Sequence, residues 1–205
     1  MAFIIIVLYI LSYNSIGGHL NAYTSREQTV FYAKVFKKDI PQALDILSDI
    51  LLNSKISEED VNRERDTILR EMREVDSQLE EVIFDRLHQT AYRNTALGRT
   101  ILGSEQNIET ITRADIKEYI TKHYTAPRMV IAGAGAVDHK QLVDLSSKLF
   151  AGIPTNPPSN QKVSMEPSLY TGSDMLIRYD DMPLAHIALG YQTAGWRDPV
   201  SYYLF

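Results

Sequence analysis

From Ser57 to Tyr92 the chain contains neither glycine nor proline. Val61, Ile68, Met72, Val75, Leu79, Val82 and Leu87 recur along it at near-heptad spacing. A run of this length and period folds as helix, either one element or two in succession. Ser57 followed by Asp60 has the form of a capping box, so the helix is expected to begin there. Whatever fold the chain adopts must therefore accommodate a long amphipathic helix near its middle.

The flanking segments define the fold class. His19 to Ser25 and Gln28 to Phe36 read as strands separated by the polar pair Arg26-Glu27, so an antiparallel pair is expected. A helix follows, capped by Asp39, with Pro41 in its first turn and Leu44, Leu47, Ile50 and Leu51 as its apolar stripe. Leu97 to Gly103 reads as a loop. Thr112 with Asp115 caps a helix from Arg113 to Tyr124, which Pro127 stops. Arg128 to Ala136 reads as a strand, and Asp138 caps a helix ending near Ala151-Gly152. Leu176 to Tyr179 and His186 to Gln192 read as strands of a second unit. A hairpin followed mostly by helices predicts an α+β fold, a mainly antiparallel sheet with helices packed on one face. The expected division is an atypical apolar N-terminus over 1–16, a partial first domain over 17–153, a proline-rich linker over 154–168 and the start of a second domain over 169–205.

Composition narrows the function. The chain has 205 residues and a net charge of −5, and no basic block supports nucleic-acid binding. It has no cysteine, which excludes a disulfide framework, a thiolate metal site and a cysteine nucleophile. The apolar run Ala2 to Leu11 is shorter than the roughly 20 residues of a spanning helix. It has neither the basic start of a signal peptide nor the Arg/Ser-rich character of a mitochondrial presequence. It reads as a buried strand or as a misassigned start of the reading frame.

Chemistry is concentrated on the long helix. Glu64 and Glu71 are two turns apart and so share a face. Glu81 and Asp85 are one turn apart and share another. The plainer reading of both pairs is a solvated acidic face, interleaved with Arg63, Arg65, Arg70 and Arg73. His19, His88, His123, His139 and His186 show no ligand-pair spacing, and Gly133-Ala134-Gly135 lacks the third glycine of a dinucleotide fingerprint.

Three strings carry more information than these patterns. Gly18 to Thr29 (GHLNAYTSREQT), Arg63 to Met72 (RERDTILREM) and Ala96 to Gly103 (ALGRTILG) resemble the pitrilysin-like inverted-zincin peptidases. Within that family they resemble the β-type subunits of the mitochondrial processing peptidases, over about Gly17 to Trp196. The resemblance implies two similar α+β domains per complete subunit and a zinc endopeptidase that removes presequences in the mitochondrial matrix. It also implies work in a heterodimer with a related α-subunit. Glu71 then matches the distant zinc ligand, and Glu64 matches the supporting carboxylate two turns earlier. Asn21 and Ala22 match the edge strand on which substrate is laid. Glu81 and Asp85 match an acidic pair that reads an arginine of the presequence peptide near the cleavage point.

One departure is large. In the family H-x-x-E-H supplies the other two ligands and the general base, about two dozen residues ahead of the segment matching His19. Here only 18 residues precede His19, and the motif occurs nowhere in the sequence. The sequence therefore implies a chain inactive as it stands, with zinc belonging to the complete family member. A different class of function is a non-catalytic core subunit of the respiratory bc1 complex. A third expectation is that this chain, expressed alone, is poorly soluble because apolar surface lacks its cover.

Overall fold

A computed structural model describes residues 18–158, 163–195 and 198–200. The run Ala2–Leu11 lies outside these residues, as do part of the proline-rich stretch and the last five positions. Strands β1 (His19–Thr24) and β2 (Thr29–Lys34) form an antiparallel hairpin with Leu20 opposite Ala33 and Ala22 opposite Phe31. The helices are α1 (Ile40–Leu52), α2 (Glu58–Asp76), α3 (Leu79–Ala91), α4 (Glu105–Thr110), α5 (Arg113–His123) and α6 (His139–Leu149). The α+β class is observed, and the hairpin and most helices lie where expected.

The structure corrects several local expectations. Asp39 occupies the cap position of α1 but accepts no backbone hydrogen there; Pro41 in the first turn leaves one fewer amide to satisfy. The long periodic run takes the second of the two forms the sequence allows, two helices in succession. Ser77 turns its hydroxyl back onto the Glu74 carbonyl at 2.6 Å, and Gln78 is extended, which ends α2 without glycine or proline. The expected loop at Leu97 begins with a 3-10 turn at Ala96–Gly98. Helix α4 was not legible, because six residues are too few to show a period. The strands expected at Arg128–Ala136, Leu176–Tyr179 and His186–Gln192 are not strands among the described residues. A strand needs a ladder partner as well as an apolar run, and β1 and β2 pair only with each other there. Val130, Leu176 and Ile187 accordingly stand 91%, 89% and 80% exposed.

The chain forms two compact units, Met1–Ile68 with Glu105–Ser164 and Leu69–Ser104 with Met165–Phe205. In the first, the period of two in β1 buries Leu20 and Ala22 and leaves His19 and Tyr23 on the open face. Leu20, Ala43 and Ile50 form the core between hairpin and α1, with Phe31, Val35, Ile46 and Leu47 against them. A second cluster joins Ile56, Val61 and Ile116, with Ile120 at its edge. Ser57 and Asp60 cap α2 as the sequence indicated, with the Asp60 amide donating to Ser57 Oγ. Thr112 and Asp115 form the full reciprocal box on α5.

The approach to α2 is held by two guanidinium groups. Ile56 adopts φ +45, a left-handed conformation that strains a β-branched residue. Arg113 Nε donates to its carbonyl at 2.6 Å. Arg65, on the first half of α2, donates to the carbonyls of Ile108 and Ile111 at 3.0 and 2.8 Å.

In the second unit the Ala96–Gly98 turn folds back on the end of α3. Thr95 donates from both its amide and hydroxyl to the Tyr92 carbonyl. A Cβ on Gly98 would lie 2.3 Å from that same oxygen, so only glycine fits. Thr171 donates its amide to the Ala91 carbonyl at 2.8 Å, and Tyr170 packs edge-on against Tyr92.

Ile50 is fully buried at the hairpin–α1 contact. Ile50→Ala is expected to lower stability by about 2–5 kcal/mol in urea unfolding. A loss below about 1 kcal/mol would show that this contact is not a packed core.

Candidate functional site

Helix α2 runs unbroken through Glu64 and Glu71, so the two-turn spacing read from the sequence is realised on one helix. Glu64 is 7% exposed, an environment that glutamate enters only when its carboxylate is engaged. It belongs to the half of α2 that Arg65 and Arg113 anchor. Glu71, two turns on, is half-buried. The plainer reading of this pair as a solvated acidic face fails for Glu64.

Asn21 and Ala22 lie in the middle of β1. The Ala22 amide donates to Asn21 Oδ1 at 2.8 Å. An amide turned to a neighbouring side chain is not serving the β1–β2 ladder, so it belongs to the strand's outer edge. The Asn21 side chain satisfies a donor that a further strand would otherwise take. Among the described residues no further strand pairs with this edge.

Glu81 and Asp85 lie one turn apart on α3, Glu81 exposed and Asp85 half-buried. Thr100 Oγ1 donates to Asp85 Oδ2 at 3.1 Å. Sequence reasoning does not single out Thr100, because only the fold-back of the Ala96–Gly98 turn brings it to Asp85. Asn21, Ala22 and Glu64 belong to the first compact unit; Glu71, Glu81, Asp85 and Thr100 belong to the second.

Among the described residues no group of three or more histidine, cysteine, aspartate or glutamate side chains could hold a metal ion. The described histidines have other surroundings. His88 Nδ1 lies 2.8 Å from the Phe84 carbonyl, and His19 faces Tyr32 across the hairpin. His123 stacks on Tyr119 at 4.3 Å. A catalytic zinc site uses three protein ligands, so the described residues do not by themselves make one.

Two models of one peptidase family match the chain. The insulinase (peptidase family M16) model matches residues 8–105, and the M16 inactive-domain model matches residues 110–205. The chain belongs to the M16 peptidase family. It is 55% identical over 187 residues to the probable mitochondrial-processing peptidase subunit beta of Arabidopsis thaliana, covering 91% of this chain and 35% of that protein. It is 51% identical to the human mitochondrial-processing peptidase subunit beta, covering 92% and 38%, and 52% identical to that of Lentinula edodes, covering 92% and 41%. The chain thus spans between 35% and 41% of the length of these relatives. Among solved structures, a Helicobacter pylori protease is similar with a TM-score of 0.67, at 21% identity over 81% of this chain and 39% of that one. A chain of Complex III2 from Candida albicans is similar with a TM-score of 0.69, at 21% identity over 84% and 42%. Both likenesses concern the fold alone.

His123 gives the first unit a pH dependence. Burial, then the nearby charges of Arg128 and Lys122, lower its pKa below the ordinary 6.5. The unfolded chain therefore takes up this proton more readily, and stability falls as pH drops through and below 6.5. His123→Phe keeps the ring against Tyr119 and is expected to reduce the loss of melting temperature between pH 7.5 and about pH 5. An unchanged slope would assign that loss to other groups.

Proposed function

We propose that this chain is the substrate-holding and part-ligating portion of a zinc metalloendopeptidase subunit that cleaves presequences from imported mitochondrial precursors. The observation that carries this reading is the Ala22 amide at the outer edge of β1, held by Asn21 in the position an added peptide strand would occupy. The names of the β-subunit relatives supply the chemistry. The cleaved substrate is then a basic presequence peptide laid along β1. Glu81 and Asp85 face an arginine near the cleavage point with two carboxylates, which suit a guanidinium fork. Glu71 is one zinc ligand, and Glu64 is the buried carboxylate that supports it from two turns earlier. The setting is the mitochondrial matrix, and the partner is a related α-subunit. Residues 17–153 correspond to most of a first domain and 169–205 to the start of a second, joined by the proline-rich stretch.

Binding follows from the backbone. An extended peptide beside β1 accepts the Ala22 hydrogen on one of its carbonyls in place of Asn21 and donates its own amides to β1 carbonyls, so its affinity rests on main-chain bonds and tolerates varied side chains. This suits presequences, which share charge more than sequence. The described residues supply no complete metal site, so their part is to hold and orient the peptide. The resemblance to the Complex III2 chain gives no separate support to a bc1 core role, since it reflects the fold alone.

Two measurements test this reading. N-methylation of a bound arginine-bearing peptide, one residue at a time, is expected to weaken binding to the full-length native protein about 3–10-fold at alternate positions only. A uniform or absent effect would rule out strand addition. The 205-residue chain alone is expected to bind well below one equivalent of zinc in equilibrium dialysis at neutral pH. Stoichiometric, tight binding would show that these residues complete a site by themselves.

A further inference from the structure

We infer that the turn joining β2 to α1 is a docking surface for an anionic lipid bilayer, with Phe36 as its apolar anchor and Lys34, Lys37 and Lys38 as its charges. The inference is independent of the peptide edge and of any metal.

Local geometry builds the surface. Val35 packs against the core of Leu20, Ala43 and Ile50. On an extended backbone its two neighbours then face the other way. Lys34 closes β2 on that open face, and Phe36 stays extended at φ −71 and ψ 155. A 3-10 turn over Lys37–Asp39 follows, and the Asp39 amide donates to the Phe36 carbonyl at 2.9 Å. The turn leaves Lys37 and Lys38 exposed before α1 begins at Ile40. Phe36 itself is 67% exposed. Among the described residues no carboxylate pairs with any of the three lysines. The turn's own acid, Asp39, has its Oδ2 closed off from solvent, while the three ammonium groups stay in water.

The residue types decide the partner. A lone exposed phenylalanine needs no explanation, but one flanked by unpaired lysines has the composition of an interfacial anchor. Its ring enters the headgroup boundary, and the lysine stems lie along that boundary with their ammonium groups at the level of the phosphates. A folded acidic protein is the competing partner. Protein interfaces are depleted in lysine and favour arginine, whose planar fork matches a fixed carboxylate. Here every cation is lysine, a compact charge on a flexible stem, which suits a fluid layer of phosphates without fixed geometry. The contact is peripheral, since no described helix is long and apolar enough to cross a membrane. One ring and three lysines give weak, reversible association.

The test is cosedimentation of the full-length native protein with vesicles of pure phosphatidylcholine or of phosphatidylcholine with about 30% anionic phospholipid. Binding is expected to the anionic vesicles alone. Lys37→Gln with Lys38→Gln is expected to lower the partition coefficient about 10–30-fold at low salt, because each lysine near an anionic surface contributes about 5-fold. The double arginine variant at the same positions is expected to keep it. Phe36→Ser is expected to lower partition about 5–10-fold, a ratio that persists at about 0.3 M salt while the lysine effect shrinks. Phe36→Trp is expected to retain binding. Lys117→Gln with Lys148→Gln removes two exposed charges from the same compact unit and is expected to change partition less than about twofold. An equal loss in that control would reduce the effect to net charge and overturn the inference. So would binding to immobilised polyglutamate with none to anionic vesicles, which would make the partner an acidic protein. Absence of sedimentation with anionic vesicles at low salt would overturn it outright.

Discussion

The placement of α2 depends on two arginines that reach across sequence to backbone carbonyls. Arg113 grips Ile56 just before the helix, and Arg65 grips Ile108 and Ile111 from the helix itself. A guanidinium is charged at every accessible pH, and a hydrogen bond from a charged donor contributes about 1.5–3 kcal/mol, more than a neutral one. Such bonds offset the strain of Ile56 at φ +45, which would otherwise cost about 1–3 kcal/mol. The buried contact of Ile56 with Val61 and Ile116 works in the same direction. The helix start, and with it Glu64, is fixed by charge on one side and by packing on the other.

The candidate site follows a common principle, in which rigid elements carry groups whose hydrogen bonds are only provisionally satisfied. Asn21 holds an edge amide that an incoming strand could claim. Thr100 donates its hydroxyl to one oxygen of Asp85. At Asn21 a neutral side chain occupies the place of an added strand's carbonyl, which lowers the cost of keeping the Ala22 amide ready in the unbound state. The scaffold beneath is ordinary: an alternating strand whose apolar face packs through Leu20 on Ala43 and Ile50 of α1.

Much of this was legible in the residues. The period of two in β1 and β2, the Ser57 and Thr112 caps and the glycine-free run over α2 and α3 each rest on local physics, which sequence records directly. The two-turn spacing of Glu64 and Glu71 was equally legible, but the burial of Glu64 was not, because burial is decided by what packs against it. That the run could divide in two was legible, but the position of the break at Ser77–Gln78 was not, since it depends on a side chain bonding back to Glu74. The expected strands at Arg128–Ala136 and beyond Leu176 failed for a different reason. Their apolar patterns are real, yet a strand exists only when a partner supplies the other half of its hydrogen bonds. Thr100 was hidden because its significance arises from a fold-back fixed by Gly98. The roles of Asn21, Ala22, Glu71, Glu81 and Asp85 came from resemblance to a peptidase family, since spacing alone allowed a solvated acidic face.

In the proposed function α2 presents Glu71 to a metal ion, with Glu64 as its buried support. Zinc-edge X-ray absorption on the full-length native protein and on its Glu71→Gln variant addresses it directly. The native spectrum is expected to show a light-atom shell at about 2.0–2.2 Å. Glu71→Gln is further expected to lower the retained zinc about 10-fold or more after dialysis. Full zinc retention with an unchanged spectrum in Glu71→Gln would show that Glu71 is not a ligand.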